Sequence, residues 1–572
     1  MNPPRSRTTA TLLILLVIIL LVALPRLVGL GRFVTIDEPP WLKYSSNFYY
    51  ALGQRQFDRT VYEYHPAVTT MWTVTGALLS YFPEYRGQGQ GYFVKDWQFN
   101  ELLASFGKQP LELLVRSRLI SVLAITLLLA ASFLLARDLL GTEAALAATL
   151  LVAFDPYFLG HSRLLNHEGL LAASTLASIL ALMAYLEKSR KPSLLITSAF
   201  CAGLALLTKS SAILLIGLAG LMILVRLVQD WRERSARPPL SPYILALLAW
   251  LGVAAVVFFA LWPGMWVSPG KMLYEVFGNA LSYAFQGSRL SVTGAIDPQR
   301  FSLDSSGIRH YLNVLLWGIT PLVWFGFLLA WLGFFTRSAA RSGPVARKLT
   351  AYLSLLAILF VLLFGTARGR DSAHYILTSF VCLDFVAGLG LAAGVCWLVG
   401  RYRSLDKMVI RYALLLGAVL LQALSALPYY PYYYTYANPL VRAVQPSMRH
   451  PSIAYGEGLE LAAAYLAQKP MADELTAISY FGIGPFSYFF PGEARLLKTD
   501  DRLSPDELQD LKESDYLVIY SVFEKRWEGP ATLLAALEAV PPEATIWLDG
   551  VEYASIYAID QLPERLYQAI SE

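Results

Sequence analysis

Residues 193–225 read SLLITSAFCAGLALLTKSSAILLIGLAGLMILV, an apolar run with a single charge, Lys209, at its middle. A single helix of this length would extend about 50 Å at about 1.5 Å per residue. A helix of about 20 residues already crosses the hydrocarbon layer. The run therefore predicts two membrane spans, 193–208 and 210–225, that form a hairpin with Lys209 at its tip.

The same apolar pattern recurs along most of the 572-residue chain. Of all residues, 56% are hydrophobic and 15% charged, against about 25% charged in soluble proteins. The mean hydropathy of +0.48 excludes a water-soluble globular protein. The sequence predicts an all-α polytopic membrane protein with eleven spans, at 11–30, 119–136, 144–160, 169–186, 193–208, 210–225, 243–262, 311–336, 349–366, 375–400 and 412–428.

The C-terminal part of the chain has a different composition. Residues 451–572 contain 21 acidic and 8 basic side chains, a charge density typical of a soluble domain. A helix-like run at 458–468 and strand-like runs at 476–480, at 516–521 and around Ile546 and Ile556 predict a small α/β domain. We expect a membrane domain at 1–428 and an α/β domain at 429–572.

Positive charges in the short loops predict the orientation. With the N-terminus in the cytoplasm, the inner loops hold 18 Lys and Arg in 63 residues and the short outer loops 8 in 65. This distribution follows the positive-inside rule. The C-terminal domain and the first loop, 31–112, are then outside the cell membrane, and within that loop the stretches 38–55 and 66–82 are amphipathic enough to lie along its surface.

Acidic residues at the outer membrane surface are candidates for catalysis. Asp37 and Glu38 lie just beyond the first span, and Glu168 begins the fourth. The alternative for Asp37 is a helix cap, since Asp before proline often starts a helix. The alternative for Glu168 is a solvated charge at a helix start. Arg163 and His167 in the same short turn favour a functional role for Glu168.

Cations are also concentrated at the outer surface, against the charge rule. They are Lys209, Arg116, Arg118, Arg368 and Arg370, followed by His374. Taken singly, each could extend to lipid phosphates. Together with the carboxylates they indicate a site for a phosphorylated lipid. His65 could bind a ligand or cap a turn, and no nucleic-acid motif is present.

Several short motifs resemble those of the C-type polyprenyl-phosphate-dependent glycosyltransferases, the family of dolichyl-phosphate-mannose protein mannosyltransferases and aminoarabinose transferases. Each motif alone is weak, and their order and their spacing relative to the predicted spans make the set specific. They are Asp37-Glu38, Tyr64-His65-Pro66, Arg118, Ser162-Arg163 with Glu168, Gly203 to Lys209, Thr320-Pro321, the loop GRDSAHYIL with Tyr375, Asn438-Pro439 and Tyr455-Gly456-Glu457-Gly458. The sequence departs from the family pattern at His374, where arginine is usual, and after Tyr375, where proline is missing.

The resemblance implies a GT-C fold and an inverting, mannosyltransferase-like enzyme that uses a polyprenyl-phosphate sugar. It assigns the general base to Asp37, with Glu38 and Glu168 as further catalytic carboxylates. The implied substrate-binding residues are His65, Arg118, Arg163, His167, Lys209, Arg370, His374 and Tyr375.

Some partners stay open at this point. The acceptor is a protein, a lipid or a glycan at the membrane surface. No cofactor is certain, although Asp37 and Glu168 could share a divalent cation, Mg²⁺ or Mn²⁺. The alternative function is a transporter or flippase for a lipid-linked sugar, in which the same charges line the path.

Overall fold

A computed structural model describes residues 5–88, 91–233, 238–286, 305–335, 343–368, 371–401, 407–444, 454–497, 503–521 and 531–571. The chain forms two compact units. The first unit contains residues 1–28, 47–89 and 117–452, and the second contains 29–46, 90–116 and 453–572. Two segments of the predicted first outer loop therefore group with the C-terminal residues.

Helices form nearly all of the regular structure before the C-terminal sheet. In chain order they are α1 (Arg5–Leu27), α2 (Glu38–Gly53), α3 (Val68–Tyr81), α4 (Tyr85–Gln88), α5 (Asp96–Ser105), α6 (Pro110–Leu140), α7 (Thr142–Phe154), α8 (Pro156–His161), α9 (Glu168–Glu187), α10 (Pro192–Thr208), α11 (Ile213–Glu233), α12 (Ser241–Leu261), α13 (Gly264–Val267), α14 (Pro269–Leu273), α15 (Asn279–Gln286), α16 (Ser306–Gly318), α17 (Pro321–Phe335), α18 (Gly343–Gly365), α19 (Leu377–Arg401), α20 (Lys407–Ala426) and α21 (Pro439–Val444).

Each predicted span coincides with an apolar helix or, at 144–160 and 311–336, with two consecutive helices. Among the described residues, 7 helices are long and apolar enough to cross a membrane. The bent pair α16 and α17 adds one more if it crosses as a unit, and three shorter apolar helices cover 11–27, 142–154 and 192–208. The chain is a multi-pass helical membrane protein, as predicted.

Two breaks in the helices are important for the site. The predicted break at Lys209 is present, because Lys209 has an extended backbone (φ −151°, ψ 139°) between α10 and the 3-10 turn at 210–212. The prediction of one continuous span over 311–336 is wrong, since the chain bends by 108° between Gly318 and Pro321. Proline disfavours a helical conformation in the preceding residues, and the Ile319 carbonyl there accepts a hydrogen bond from Asn438 Nδ2 at 2.7 Å.

The centre of the first unit is packed through small residues. Helices α9 and α19 are 94% buried over their apolar windows. A Cβ at Gly388 would lie 2.3 Å from Cα of Ala148, and one at Gly390 would lie 1.9 Å from the carbonyl oxygen of Gly326. Such close backbone approach is typical of membrane helix packing, and it fixes α19 against α7 and α17.

Buried Arg26 attaches the end of α1 to the turn before α9. Its guanidinium donates to Ser162 Oγ at 2.7 Å, to the Val22 carbonyl at 2.8 Å and to the Ala153 carbonyl at 3.0 Å. The cation also lies over the ring of Phe158, 5.3 Å from its centroid. These contacts hold the segment that leads to Glu168.

The second unit contains a five-stranded sheet in the order β2-β1-β3-β5-β4. The strands β1, β2 and β3 are parallel, whereas β5 runs antiparallel to β3 and β4. Its elements after residue 454 are α22 (Leu459–Leu466), β1 (Thr476–Ser479), β2 (Glu493–Leu496), α23 (Pro505–Lys512), β3 (Tyr516–Ile519), α24 (Ala531–Leu537), β4 (Ala544–Leu548), β5 (Val551–Ala558) and α25 (Glu564–Ser571). The small α/β domain predicted from sequence is confirmed, and β2 is the strand that the sequence did not predict.

The carboxyl edge of the parallel strands is covered by residues 34–39, which lead into the first turn of α2. The turn after β1 contains Gly484, with φ +95°, and a Cβ there would lie 2.2 Å from Cγ of Pro39. Gly456, with φ +112°, approaches the Val34 carbonyl so closely that a Cβ would lie 2.8 Å from it. Both positions need glycine, because a side chain would be strained and would collide with residues 34–39.

Candidate functional site

A buried ion pair between Glu168 and Lys209 is the centre of the first unit's polar residues. Each side chain is 1% exposed, and the Lys209 ammonium donates to Glu168 Oε1. Glu168 begins α9, and Lys209 ends α10 at the helix break. An unpaired charge at this depth would cost several kcal/mol, so each residue supplies the partner that the other needs.

Two histidines lie beside this ion pair. His167 Nε2 is 3.5 Å from Glu168 Oε1. The rings of His167 and His65 are 4.8 Å apart between centroids, and Tyr64 packs against His65 at 4.1 Å. Burial, together with the nearby Lys209 ammonium, holds the pKa of the His167 imidazole well below its ordinary value. His167 is therefore neutral near pH 7.

Aromatic rings cover the Lys209 ammonium. Its Nζ lies 4.3 Å from the centroid of Tyr375 and 4.9 Å from that of Phe364. The two rings stack on each other with centroids 5.2 Å apart. Cation–π contacts stabilise a lysine that has lost its water, and here they replace hydration without neutralising the charge.

A cavity of about 230 Å³ opens beside Lys209. Apolar side chains form most of its wall, and Lys209 is the charged group in that wall. The lining residues are Tyr64, His65, Lys209, Ser210, Ser211, Ile213, Phe277, Ala280, Leu281, Ala284, Phe285, Leu363, Phe364, Ala367 and Tyr375. Such a cavity suits a ligand with a long apolar body and an anionic end.

The other cations predicted for the site in the first unit are Arg163, Arg118, His374 and Arg370. Arg163 is buried, donates to the carbonyls of Val28 and Pro431, and lies over Tyr430 and Tyr433. It therefore holds backbone and does not line the cavity. Arg118 is buried at 1% exposure. His374 packs against Tyr375, with ring centroids 4.8 Å apart, and Arg370 lies outside the described residues.

In the second unit, Glu38 serves the start of α2. Its Oε2 accepts hydrogen bonds from the Thr35 backbone N–H at 2.8 Å and from the Thr35 hydroxyl at 2.9 Å. The side chain is fully buried. Glu38 is the first residue of α2, so these bonds fix the turn through which the chain enters the helix.

Asp37 is only partly buried and has a neutral hydrogen-bond donor. The Tyr455 hydroxyl donates to Asp37 Oδ2 at 2.5 Å. The backbone N–H of Ile36 donates to the Tyr455 carbonyl at 3.2 Å, so the two segments are joined twice. Tyr455 belongs to the motif at 455–458, which predicts no role for its hydroxyl, and no local pattern relates residues 418 positions apart.

The expected shared metal ion stays a prediction. Asp37 belongs to the second unit and Glu168 to the first. Within the described ranges, no three His, Cys, Asp or Glu side chains converge as a metal site would require. In the first unit, the cation that contacts Glu168 is the Lys209 ammonium.

Comparison with known proteins agrees with the motifs. The family model of dolichyl-phosphate-mannose-protein mannosyltransferases matches residues 106–262. This match confirms the resemblance over that part of the chain. No curated protein sequence matches the chain significantly.

Among solved structures, the chain is similar to ArnT from Cupriavidus metallidurans bound to undecaprenyl phosphate, with 15% identity, 97% of this chain and 98% of that chain covered, and a TM-score of 0.44. It is also similar to the S. cerevisiae protein O-mannosyltransferase Pmt1-Pmt2 complex bound to the sugar donor, with 17% identity, 52% and 38% coverage, and a TM-score of 0.34. A third similar structure is the oligosaccharyltransferase AglB from Archaeoglobus fulgidus in complex with an inhibitory peptide and a dolichol-phosphate, with 13% identity, 91% and 70% coverage, and a TM-score of 0.42.

Proposed function

We propose that this protein is a membrane glycosyltransferase that moves a sugar from a polyprenyl phosphate to an acceptor on the outer face of the membrane. The observation that carries the proposal is the apolar cavity with buried Lys209 in its wall. A polyprenyl phosphate has an apolar chain and an anionic end, which match the two kinds of surface. The family match over residues 106–262 supports the same reaction class.

The chemistry needs few groups. Because the lipid phosphate leaves as a stable anion, no acid is needed to protonate it. A cation that stabilises the charge of the leaving phosphate and one base that takes the acceptor's proton are sufficient. The acceptor oxygen then forms a bond to the anomeric carbon as the bond to the phosphate breaks. A single displacement of this kind inverts the configuration at the anomeric carbon.

Lys209 is the proposed phosphate ligand. A desolvated ammonium attracts a phosphate more strongly than a solvated one, since the local dielectric constant is low. We infer that the lipid phosphate shares the ammonium with Glu168, which keeps Lys209 charged and in position before the donor arrives. Tyr375 and Phe364 limit its motion from the other side.

Asp37 is the proposed base. Its side chain is only partly buried and accepts a hydrogen bond from the Tyr455 phenol, and a neutral donor of this kind stabilises a charged carboxylate less than a cation does. Glu38 is less suited, because one of its carboxylate oxygens is held by Thr35 and the residue is fully buried. The proposed outer location of Asp37 follows from the loop charges, as does a cytoplasmic N-terminus.

The acceptor and the sugar are proposed only as classes. The acceptor is a hydroxyl or similar nucleophile on a protein, lipid or glycan, and the family match makes a hexose such as mannose the first sugar to test.

The adjacent carboxylates offer a matched experiment. Asp37→Asn and Glu38→Gln each remove one negative charge, and each can be assayed in proteoliposomes with polyprenyl-phosphate mannose and membrane acceptors. Because general-base catalysis contributes about 10²–10⁴-fold, we expect Asp37→Asn to lose turnover to that extent. Glu38→Gln should keep most of the turnover and lower the thermal stability. Full turnover in Asp37→Asn would remove Asp37 as the base.

The cavity can be tested separately with two tryptophan substitutions. Ala280 lines the cavity, whereas exposed Leu273 in the preceding helix does not. Ala280→Trp should raise the donor KM at least tenfold, and Leu273→Trp should leave it unchanged. Equal KM values would argue against this cavity as the donor site. Movement of the lipid-linked sugar between leaflets without a glycosidic product would favour the transporter alternative.

A further inference from the structure

We propose that Tyr455 is the positioning residue for Asp37, and that the edge of the small sheet holds the catalytic segment instead of binding a separate ligand. The inference rests on the proposed role of Asp37 as the base. It starts from the two hydrogen bonds between Tyr455 and the segment 36–37. The hydroxyl donates to Asp37 Oδ2 at 2.5 Å, and the carbonyl accepts from Ile36 N at 3.2 Å.

A buried carboxylate fixes Tyr455 in turn. Glu457 Oε2 accepts from the Tyr455 backbone N–H at 2.7 Å and from the Tyr520 hydroxyl at 2.6 Å. The Gly456 N–H donates to the same Tyr520 hydroxyl at 3.0 Å. Glu457 has no exposed surface. Three consecutive residues of the loop are therefore bound into one network, which leaves Tyr455 little freedom to move.

The network is anchored on the centre of the sheet. Tyr520 directly follows β3, the middle strand, and is fully buried. Burial and the neighbouring Glu457 carboxylate raise the pKa of Tyr520 well above its ordinary value. Its hydroxyl stays protonated at any working pH and remains a donor to Glu457. The path from the sheet to Tyr455 is thus made of buried hydrogen bonds, and the last bond, to Asp37, is partly buried.

The sheet topology explains why this edge is available. The chain that leaves β1 goes to β2 on one side, and the chain that leaves β3 goes to β4 and β5 on the other, so the connections diverge between the carboxyl ends of β1 and β3. In open parallel sheets this switch point is the usual ligand crevice. Here the turn containing Gly484 packs against Pro39, and Gly456 packs against Val34. In this sheet, the segment that contains Asp37 occupies the place of that crevice.

The hydrogen bond from Tyr455 has two consequences for a base. It fixes the rotation of the carboxylate about its side-chain bond, and it favours the charged form modestly. Among the described residues, Glu457 and Tyr520 are titratable groups of this network, Tyr553 interacts with Glu457, and Glu38 is next to Asp37 in the chain. Removal of the phenol therefore loosens the base and makes it easier to protonate.

The experiment uses the full chain with two phenylalanine substitutions. Tyr455→Phe removes the donor to Asp37. Tyr465→Phe is the matched control, because Tyr465 also donates to a carboxylate, Glu543 Oε1 at 2.7 Å, elsewhere in the same unit. We expect Tyr455→Phe to lower kcat about tenfold with the donor KM within twofold. The acid limb of the kcat/KM profile should move up by about one pH unit, as expected for a lost charge-assisted hydrogen bond. Tyr465→Phe should behave as wild type.

A second measurement does not depend on turnover. A water-soluble carbodiimide labels protonated carboxyl groups, and peptide mass spectrometry reports the modification of Asp37, with Asp37→Asn as the blank. At pH 6.5 Tyr455→Phe should label Asp37 several-fold faster than wild type or Tyr465→Phe. Equal labelling rates would overturn the positioning role whatever the activity is. A wild-type protein without transferase activity would instead refute the proposed function, and the labelling result would still decide the role of Tyr455.

Discussion

The two candidate carboxylates, Glu168 in the first unit and Asp37 in the second, are held in different ways. Glu168 is 1% exposed and bound by the Lys209 ammonium. Asp37 is partly exposed and bound by the neutral hydroxyl of Tyr455. A cation stabilises the charged carboxylate strongly and makes it a weaker base, whereas a phenol does so less. The difference is the basis of the two proposed roles, in which Glu168 holds a cation and Asp37 accepts a proton.

The largest expected effect is on stability in the first unit. Lys209→Met leaves the buried Glu168 carboxylate without its cation, and we expect a loss of about 3–5 kcal/mol in the free energy of unfolding. Glu168→Gln combined with Lys209→Met removes both charges and should recover much of that loss. Thermal unfolding of the purified protein in detergent measures the loss in the single variant and the recovery in the double variant. A double variant no more stable than Lys209→Met would contradict the pairing.

A smaller effect is expected in the second unit, where Gly456 lies against Val34. Gly456→Ala combines a strained positive φ with a Cβ only 2.8 Å from the Val34 carbonyl, and we expect a loss of about 2–3 kcal/mol. Gly550 also has a positive φ, +76°, but nothing lies within 4 Å of its Cβ position. Gly550→Ala therefore measures the strain alone, at about 1 kcal/mol. The two variants can be compared by denaturant unfolding, and equal losses would mean that the contact with Val34 contributes nothing.

The smallest expected effect is a pH dependence of the free energy of unfolding that originates next to Glu168. His167 faces Glu168, Lys209 and His65, and its pKa in the folded protein lies well below the ordinary value. Below about pH 6.5 the unfolded chain binds a proton that the folded protein does not, so stability falls as the pH falls. The slope contributed by one histidine is at most about 1.4 kcal/mol per pH unit. In melting curves between pH 8 and 5, His167→Gln should flatten this slope, and an unchanged slope would exclude His167 as its source.

Much of the fold follows from composition and helix length. The break at Lys209 is predictable, because a charge at the middle of a run too long for one span leaves few alternatives. The contact between Thr35 and Glu38 is also predictable, because the two residues are three positions apart at the start of a helix. The bend before Pro321 was missed, since apolar residues continue on both sides of it.

Long-range partners could not be predicted from local patterns. Tyr455 and Asp37 are 418 residues apart, and only the folded sheet edge brings them together. The sequence around Arg163 is typical of a ligand-binding residue, yet its guanidinium donates to the Val28 and Pro431 carbonyls. An arginine that binds backbone and one that binds phosphate look alike in a sequence, because both are buried near a membrane surface with aromatic neighbours.

The second unit is assembled from three separate stretches of chain, 29–46, 90–116 and 453–572. During synthesis the first two stretches are made long before the third. The membrane helices of residues 117–452 are translated between the second stretch and the third. The hydroxyl that reaches Asp37 arrives only with the last stretch. If Asp37 is the base, as proposed, a chain whose translation is incomplete lacks the residue that positions it, and activity begins only when this unit is complete.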